Sequence, residues 1–404
     1  MSCCKEPFIT LKGPDKLRKR PAVYFGSDGP DGAVMVVKKL LDIFVTEAVL
    51  GYSSKIDVVI GKDDSIRIRS YDRGLILSES MVADKPAWYM LLCTLYYGAD
   101  LEDPYAALYG RSERCSRYRA QSYSGFDLCC IQYVSRFMHV EATRDGIKKT
   151  LDFERGYSVS DLRKEPSSDP PNTYVHFLID AEVFEDIKIS GSEIAVFLRD
   201  ASIAAPGLEC KLCDERDGSE RTFLYPHGAE DLAAELMGPG AMPPFSNEIT
   251  ATGRDRYDSQ EYHARVKVVI GFAKAAAKQI CLHNFRELKY GGDHLDALKM
   301  RLMRYIRLEF KRDLGTADEN NDHSRSGFAL SFDDIKADVV LILETYCPPN
   351  ASRFINESRK SIENRMITDM ANDLLSGEFR EYLKEHHEAL YSLLKGAGRD
   401  NSGA

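Results

Sequence analysis

The sequence is short of the features that mark several broad protein classes. It holds no apolar run of the roughly eighteen residues that a membrane-spanning helix needs. Its first residues, MSCCKEPF, put no apolar core behind a basic start, so no secretory signal is expected. Basic surplus is also missing. A net charge of −9 argues against wrapping of DNA by the whole surface, although local basic patches stay open to phosphate. There is no internal repeat, which removes solenoids and propellers. The ten cysteines are scattered, with two adjacent pairs and several lone residues, and form no disulfide framework. Reduced thiols and a cytoplasmic location are the expectation. Cys210-x-x-Cys213 is the one metal-like spacing, and it has neither a second CxxC nor an HxxxH nearby. Two thiols on a strand that approaches a turn is the plainer reading.

What is present is the composition of an ordinary soluble globular chain, 44% hydrophobic and 29% charged. Its 404 residues are enough for two domains with separate cores. Lys55–Ser70 alternates apolar and polar residues around Gly-Lys-Asp-Asp, which predicts a β-hairpin, and Val140–Phe153 does the same around Arg144-Asp145-Gly146. Thr173–Ile179 reads as a further strand, and Ala87–Tyr97 carries helical periodicity. Strands and helices mix without regular βαβ alternation, so the fold class is α+β. Gly238–Pro244 reads as a loop and Thr316–Ser326 as a polar insert. Tyr262–Ala275 and Val339–Tyr346 are expected strands, with a helix between them from Gly291 to about Arg312. Ile367, Met370, Leu374, Leu375, Phe379, Tyr382 and Leu390 repeat at helical spacing and predict a long C-terminal helix.

Arg18–Ser27, reading RKRPAVYFGS, followed by GAVMVVKKLLDIFVTEAVLGY, resembles the opening of the gyrase B and topoisomerase IV B-subunit family. Gly291-Gly292-Asp293-His294-Leu295 resembles a motif of that family's transducer domain. The resemblance runs from about Leu17 to Leu394 and is strongest over Lys19–Gly26 and Gly291–Leu295. It implies a GHKL (Bergerat-type) α/β sandwich over residues 1–220 and a transducer-like domain over 221–404. The family's metal-binding cleavage-associated domain is expected to be absent.

The same resemblance implies a nucleotide pocket, and its chemistry can be checked position by position. The family's general-base glutamate falls on Lys39, which offers no carboxylate to activate water. The magnesium-binding asparagine falls on Ile43, which has no oxygen to offer. The adenine-binding aspartate falls on Ser70, with Tyr71 and Asp72 next to it where the pocket floor is expected. Glu47, Arg73 and Gly74 are retained, and the first two are expected to form a structural ion pair. The phosphate loop keeps only Gly125 and places Asp127 where phosphate oxygens would lie. A carboxylate ~4 Å from a phosphate charge costs about 4 kcal/mol at an effective dielectric of ~20. Thr173 and Arg144 match pocket-lining residues, and Arg359 matches the basic residue of the transducer loop. Among these residues no catalytic group, metal site or cofactor is expected.

One stretch gains charge. Arg301, Arg304, Arg307 and Lys311 fall near one face of a helix, a stripe that could meet DNA phosphates or be a solvated outer face over the apolar Leu302, Met303, Ile306 and Phe310. The functional expectation is a catalytically inactive gyrase B-like protein that dimerises, or docks on a type II topoisomerase subunit or on double-stranded DNA. The alternative is a divergent B-subunit fragment that hydrolyses Mg-ATP to change DNA topology. Loss of base, metal ligand, adenine acceptor and phosphate glycines together separates the two, since any single loss could be compensated.

Overall fold

A computed structural model describes residues 13–82, 84–95, 124–254, 261–310, 330–347 and 361–400, with backbone alone for 124–127 and 396–400. The chain divides into two units, Met1–Leu224 and Tyr225–Ala404.

The first unit is built on a nine-stranded sheet. Its spatial order is Ser219–Phe223, Glu209–Asp214, Lys55–Ile60, Ile66–Ser70, Asn172–Ile179, Ser135–Arg144, Ile147–Glu154, Tyr157–Ser158, and Arg163–Pro166 also pairs with Ile147–Glu154. All pairs are antiparallel except Lys55–Ile60 beside Glu209–Asp214. Both expected hairpins form. In the second, Asp145 and Gly146 each adopt positive φ, 53° and 74°, which matches the right-handed twist of the flanking strands. Alternation puts Ile56, Val58, Ile66, Ile68, Val140, Val175 and Phe177 on the covered face. Cys210 is buried on that face and Cys213 points to the other, so the two thiols cannot share a metal.

The Pro30–Val49 helix opens with Pro30 at its first turn and Asp31 at the positive end of its dipole. It is apolar on almost every side, and fourteen of its residues are buried. Its end is set by Gly51 at φ 79°, where Gly51 N–H donates to the Ala48 carbonyl and Tyr52 N–H to the Glu47 carbonyl. Arg18, from the basic opening segment, donates to Asp180 at 2.6 Å and to the Tyr133 carbonyl, pinning this segment to the sheet unit.

The second unit carries a five-stranded sheet ordered Phe245–Arg254, Glu261–Phe272, Val339–Tyr346, Lys278–His283, Arg286–Glu287. Val339–Tyr346 is central and buried along its whole length. Leu295, Leu298, Leu302 and Ile306 of the Asp293–Glu309 helix share a core with Val266, Val268, Leu341 and Leu343. The expected long C-terminal helix is three helices instead: Arg365–Asp373, Gly377–Glu385 and His387–Asp400. Helix-period burial does continue through Ile367, Met370, Leu374, Phe379, Tyr382 and Leu390. The first break falls at Ser376-Gly377, the kind of pair that starts a new helix and stops an old one, and the second at His386. Tyr382 then ties the second helix to the proline-rich loop by donating to the Pro243 carbonyl at 2.9 Å. Thr316–Ser326 lies outside the described residues. No helix among them is long and apolar enough to cross a membrane.

Candidate functional site

Six of the residues named from the sequence, Glu47, Ser70, Arg73, Gly74, Arg144 and Thr173, come together where the strap after strand Ile66–Ser70 crosses neighbouring strands. Gly74 fixes this crossing. It sits at φ 74°, and a Cβ there would lie 2.3 Å from the Thr143 carbonyl oxygen, so only glycine fits. Arg144 Nη1 donates to the Gly74 carbonyl at 3.3 Å, and Lys149 Nζ donates to the Leu77 carbonyl at 2.7 Å. The strap is thereby stitched down at both ends.

Glu47 has no exposed surface and meets Arg73 through two parallel bonds, Nε to Oε2 at 2.8 Å and Nη2 to Oε1 at 2.7 Å. Burial pushes the Glu47 carboxyl up, and the guanidinium opposes that shift. The Tyr52 ring, placed by the helix's own left-handed cap, lies 3.8 Å from the guanidinium carbon. The retained pair is therefore a bridge between helix and strap, with an aromatic lid over the cation.

Ser70 and Thr173 face each other in register across adjacent strands. Ser70 is fully buried, and its hydroxyl reaches Ser53 at 3.4 Å. Tyr71 does not line the pocket floor as expected. Strand alternation sends it to the opposite sheet face, where its hydroxyl donates to Asp57 at 3.2 Å and Lys55 lies 5.7 Å from its ring centre. Asp72 does turn inward. Its Oδ1 accepts from Gly74 N–H at 2.8 Å and from the Thr173 hydroxyl at 2.9 Å, while Thr173 Oγ1 accepts from Leu75 N–H at 3.1 Å. Asp72 is 4% exposed. Sequence reasoning missed this network. Its one signal is an Asp two residues before a Gly, the spacing of a side-chain-closed turn.

On the Pro30–Val49 helix, Lys39 is half-buried, Ile43 has no exposed surface, and the neighbouring Lys38 pairs with Glu193 at 3.0 Å. Gly125 and Asp127 fall in the opening turns of the Ser124–Val134 helix, where only the backbone is described, and Arg359 lies outside the described residues. Ile43 supplies no ligand oxygen, Lys39 no carboxylate, and the Thr173 hydroxyl proton is already held by Asp72.

In the second unit the basic helix spans Asp293–Glu309, which leaves Lys311 outside the described residues. Arg304 and Arg307 are exposed and Arg301 is half-buried, so the three arginines are not equally free. Arg301 is half-buried with its guanidinium 5.2 Å from the Tyr305 ring centre, and Arg307 Nε donates to the Leu330 carbonyl at 2.7 Å. Arg304 is exposed.

No protein-family model matches the chain. It is 24% identical to the DNA gyrase B protein of Clostridium acetobutylicum over 378 residues, 93% of this chain and 55% of that protein. It is 27% identical to the DNA gyrase B protein of Thermus thermophilus over 306 residues, 73% of this chain and 44% of that protein. The chain thus spans about half the length of the curated relatives it matches. Among solved structures it is similar to the 43K ATPase domain of Thermus thermophilus gyrase B in complex with an aminocoumarin. That match has a TM-score of 0.71 and 22% identity, covering 96% of this chain and 95% of the other. The chain is thus similar over most of its length to gyrase B and topoisomerase IV B proteins, and it shares the fold of their ATPase-domain structures.

Proposed function

We propose that this chain is a catalytically silent gyrase B-like module that acts by dimerising or by docking on a type II topoisomerase, without turning over ATP. The supporting observation is the Asp72–Thr173 bond. A side chain of the protein itself takes the hydroxyl and the Gly74 N–H that face the pocket floor. A ligand that sought those groups would have to displace a buried carboxylate, and leaving that carboxylate unpaired costs more than a ligand hydrogen bond returns. Arg73 is likewise committed, to Glu47 and Tyr52, so an anion pocket around Lys39 and Arg73 would lack one of its two cations.

Steady-state phosphate release from ATP and magnesium, with and without duplex DNA, tests the reading. The expected rate is the uncatalysed background, and Lys39→Glu alone leaves it there because metal and phosphate contacts are still missing. Turnover that a pocket mutation abolishes would contradict the reading and favour a divergent ATP-hydrolysing protein.

A further inference from the structure

The outermost strand of a sheet presents a row of unpaired N–H and C=O groups, and proteins blunt such edges with short strands, Pro, Lys or a bulge. Among the described residues, the other edges of the two large sheets follow that rule. Tyr157–Ser158 and Arg286–Glu287 are two residues long, Ser219–Phe223 is five, and Arg163–Pro166 holds Lys164 and Pro166. Phe245–Arg254 does not follow it. This strand closes one side of the second unit's sheet, runs for ten residues, and holds neither Pro nor Lys. It pairs with Glu261–Phe272 without a register shift, so no bulge bends it away. Asn247 covers its near end: the side-chain amide donates to the Leu374 carbonyl and Oδ1 accepts from Glu248 N–H. Beyond that point Glu248, Thr250, Thr252 and Arg254 are exposed on one face, and Ile249, Ala251 and Gly253 are half-buried on the other.

We propose that this edge pairs antiparallel with the same edge of a second copy of the chain, about a two-fold axis at Ala251. A row of backbone donors and acceptors is matched by another strand, and a self-complementary pairing closes at two copies. Charge sets the register. Centred on Ala251, Glu248 lies opposite Arg254 of the second copy and Thr250 opposite Thr252, each pair occurring twice. Across the joined sheets the signs then alternate: Glu261 and Arg254 of one copy, Glu248 and Lys267 of the other. Centring on Thr250 or Thr252 would set Arg254 against Ser246 or Thr250 and break that alternation. A one-residue slip would set exposed side chains against half-buried ones. On the half-buried face Ala251 meets itself and Ile249 meets Gly253, so no two large side chains collide. DNA fits less well, because the one arginine on this edge already donates to Glu261 at 3.1 Å. The inference rests on the dimerising part of the reading above and is independent of whether the first unit turns over ATP.

Sedimentation equilibrium of the full chain over a concentration series up to about 100 μM tests the pairing. The wild type should pass from monomer to dimer. Glu248→Arg and Arg254→Glu each set like charges opposite one another at both ends of the pairing, and each should raise the dimer dissociation constant about tenfold. Thr250→Lys/Thr252→Lys should do the same at the centre. An equimolar mixture of the two single charge variants should recover the dimer, because every cross-copy pair in the mixed dimer is again of opposite sign. The double variant Glu248→Arg/Arg254→Glu should recover it too. All four substituted side chains are exposed, and circular dichroism checks that each variant is folded. A wild type that stays monomeric would overturn the proposal, as would a dimer that every variant leaves unchanged. Single variants that weaken the dimer without recovery on mixing would overturn the register and the second copy as the occupant. Phosphate release by a chain that pairs as described would overturn the silent reading alone.

Discussion

Each unit buries a carboxylate that has no exposed surface or almost none, and the two are handled in different ways. Glu47 of the first unit sits in the last turn of the Pro30–Val49 helix and receives two short bonds from Arg73. Glu344 of the second unit sits in the central strand, 3% exposed. Arg265, the cation it pairs with, is 3.9 Å away, and its Oε1 has no hydrogen-bond partner among the described residues. Burial therefore pushes Glu344 up to about 7, with Arg265 and Lys267 pulling down and Glu230 and Glu248 pushing up. A fully paired carboxylate locks a region together. A half-paired one leaves a region tuned to pH.

The largest effect expected from this contrast follows Arg73→Ala. It strands Glu47 as a buried charge, and breaking such a pair costs about 3–5 kcal/mol. Amide hydrogen exchange should show protection lost across the sheet of the first unit and kept in the second. Equal loss in both units would mean that the bridge is not local to the pocket.

Acid should act on the second unit by a net of opposing terms. Burial holds His283 down to about 3 and His294 down to about 4, from 6.5. Both are neutral in the folded unit, and the unfolded chain binds the extra protons. Their contribution is therefore complete above pH 6.5 and is lost as pH falls. Glu344 has the opposite sign. Its folded value lies above the ordinary 4.5, so between 4.5 and 7 the folded unit holds the extra proton and gains stability as pH falls. From pH 6.5 to 4.5 the two histidines outweigh the one glutamate by a single proton, a slope of about 1.4 kcal/mol per pH unit. Glu344→Gln removes the offset and should roughly double that slope. Denaturant midpoints of the second unit measured across this window decide it, and an unchanged slope would mean that Glu344 is ionised throughout.

A smaller loss is expected from Asp72→Ala, which unpairs the Thr173 hydroxyl and the Gly74 N–H at about 1–3 kcal/mol. Chemical denaturation gives the magnitude. A neutral result would mean that the strap is held by Gly74, Arg144 and Lys149 alone.

Much of the fold was legible because it rests on periodicity. The two hairpins and the strand Val339–Tyr346 follow from alternation or from an unbroken apolar run, and the resemblance carried the architecture. What sequence did not show depended on direction. Tyr71 and Asp72 are neighbours and leave on opposite faces, and one of them closes the pocket floor. Arg301 and Arg307 read as equals of Arg304 until Tyr305 and the Leu330 carbonyl engage them. The apolar period through Leu374 and Phe379 continues across a real helix break, because burial sets the period and Ser376-Gly377 sets the ends.

In the proposed reading the pocket's polar groups are satisfied by the protein itself and not by nucleotide. A calorimetric titration of the full chain with ATP and magnesium tests it most directly. No saturable heat is expected up to millimolar nucleotide. Saturable, magnesium-dependent binding that Asp72→Ala or a change at Lys39 alters would contradict it.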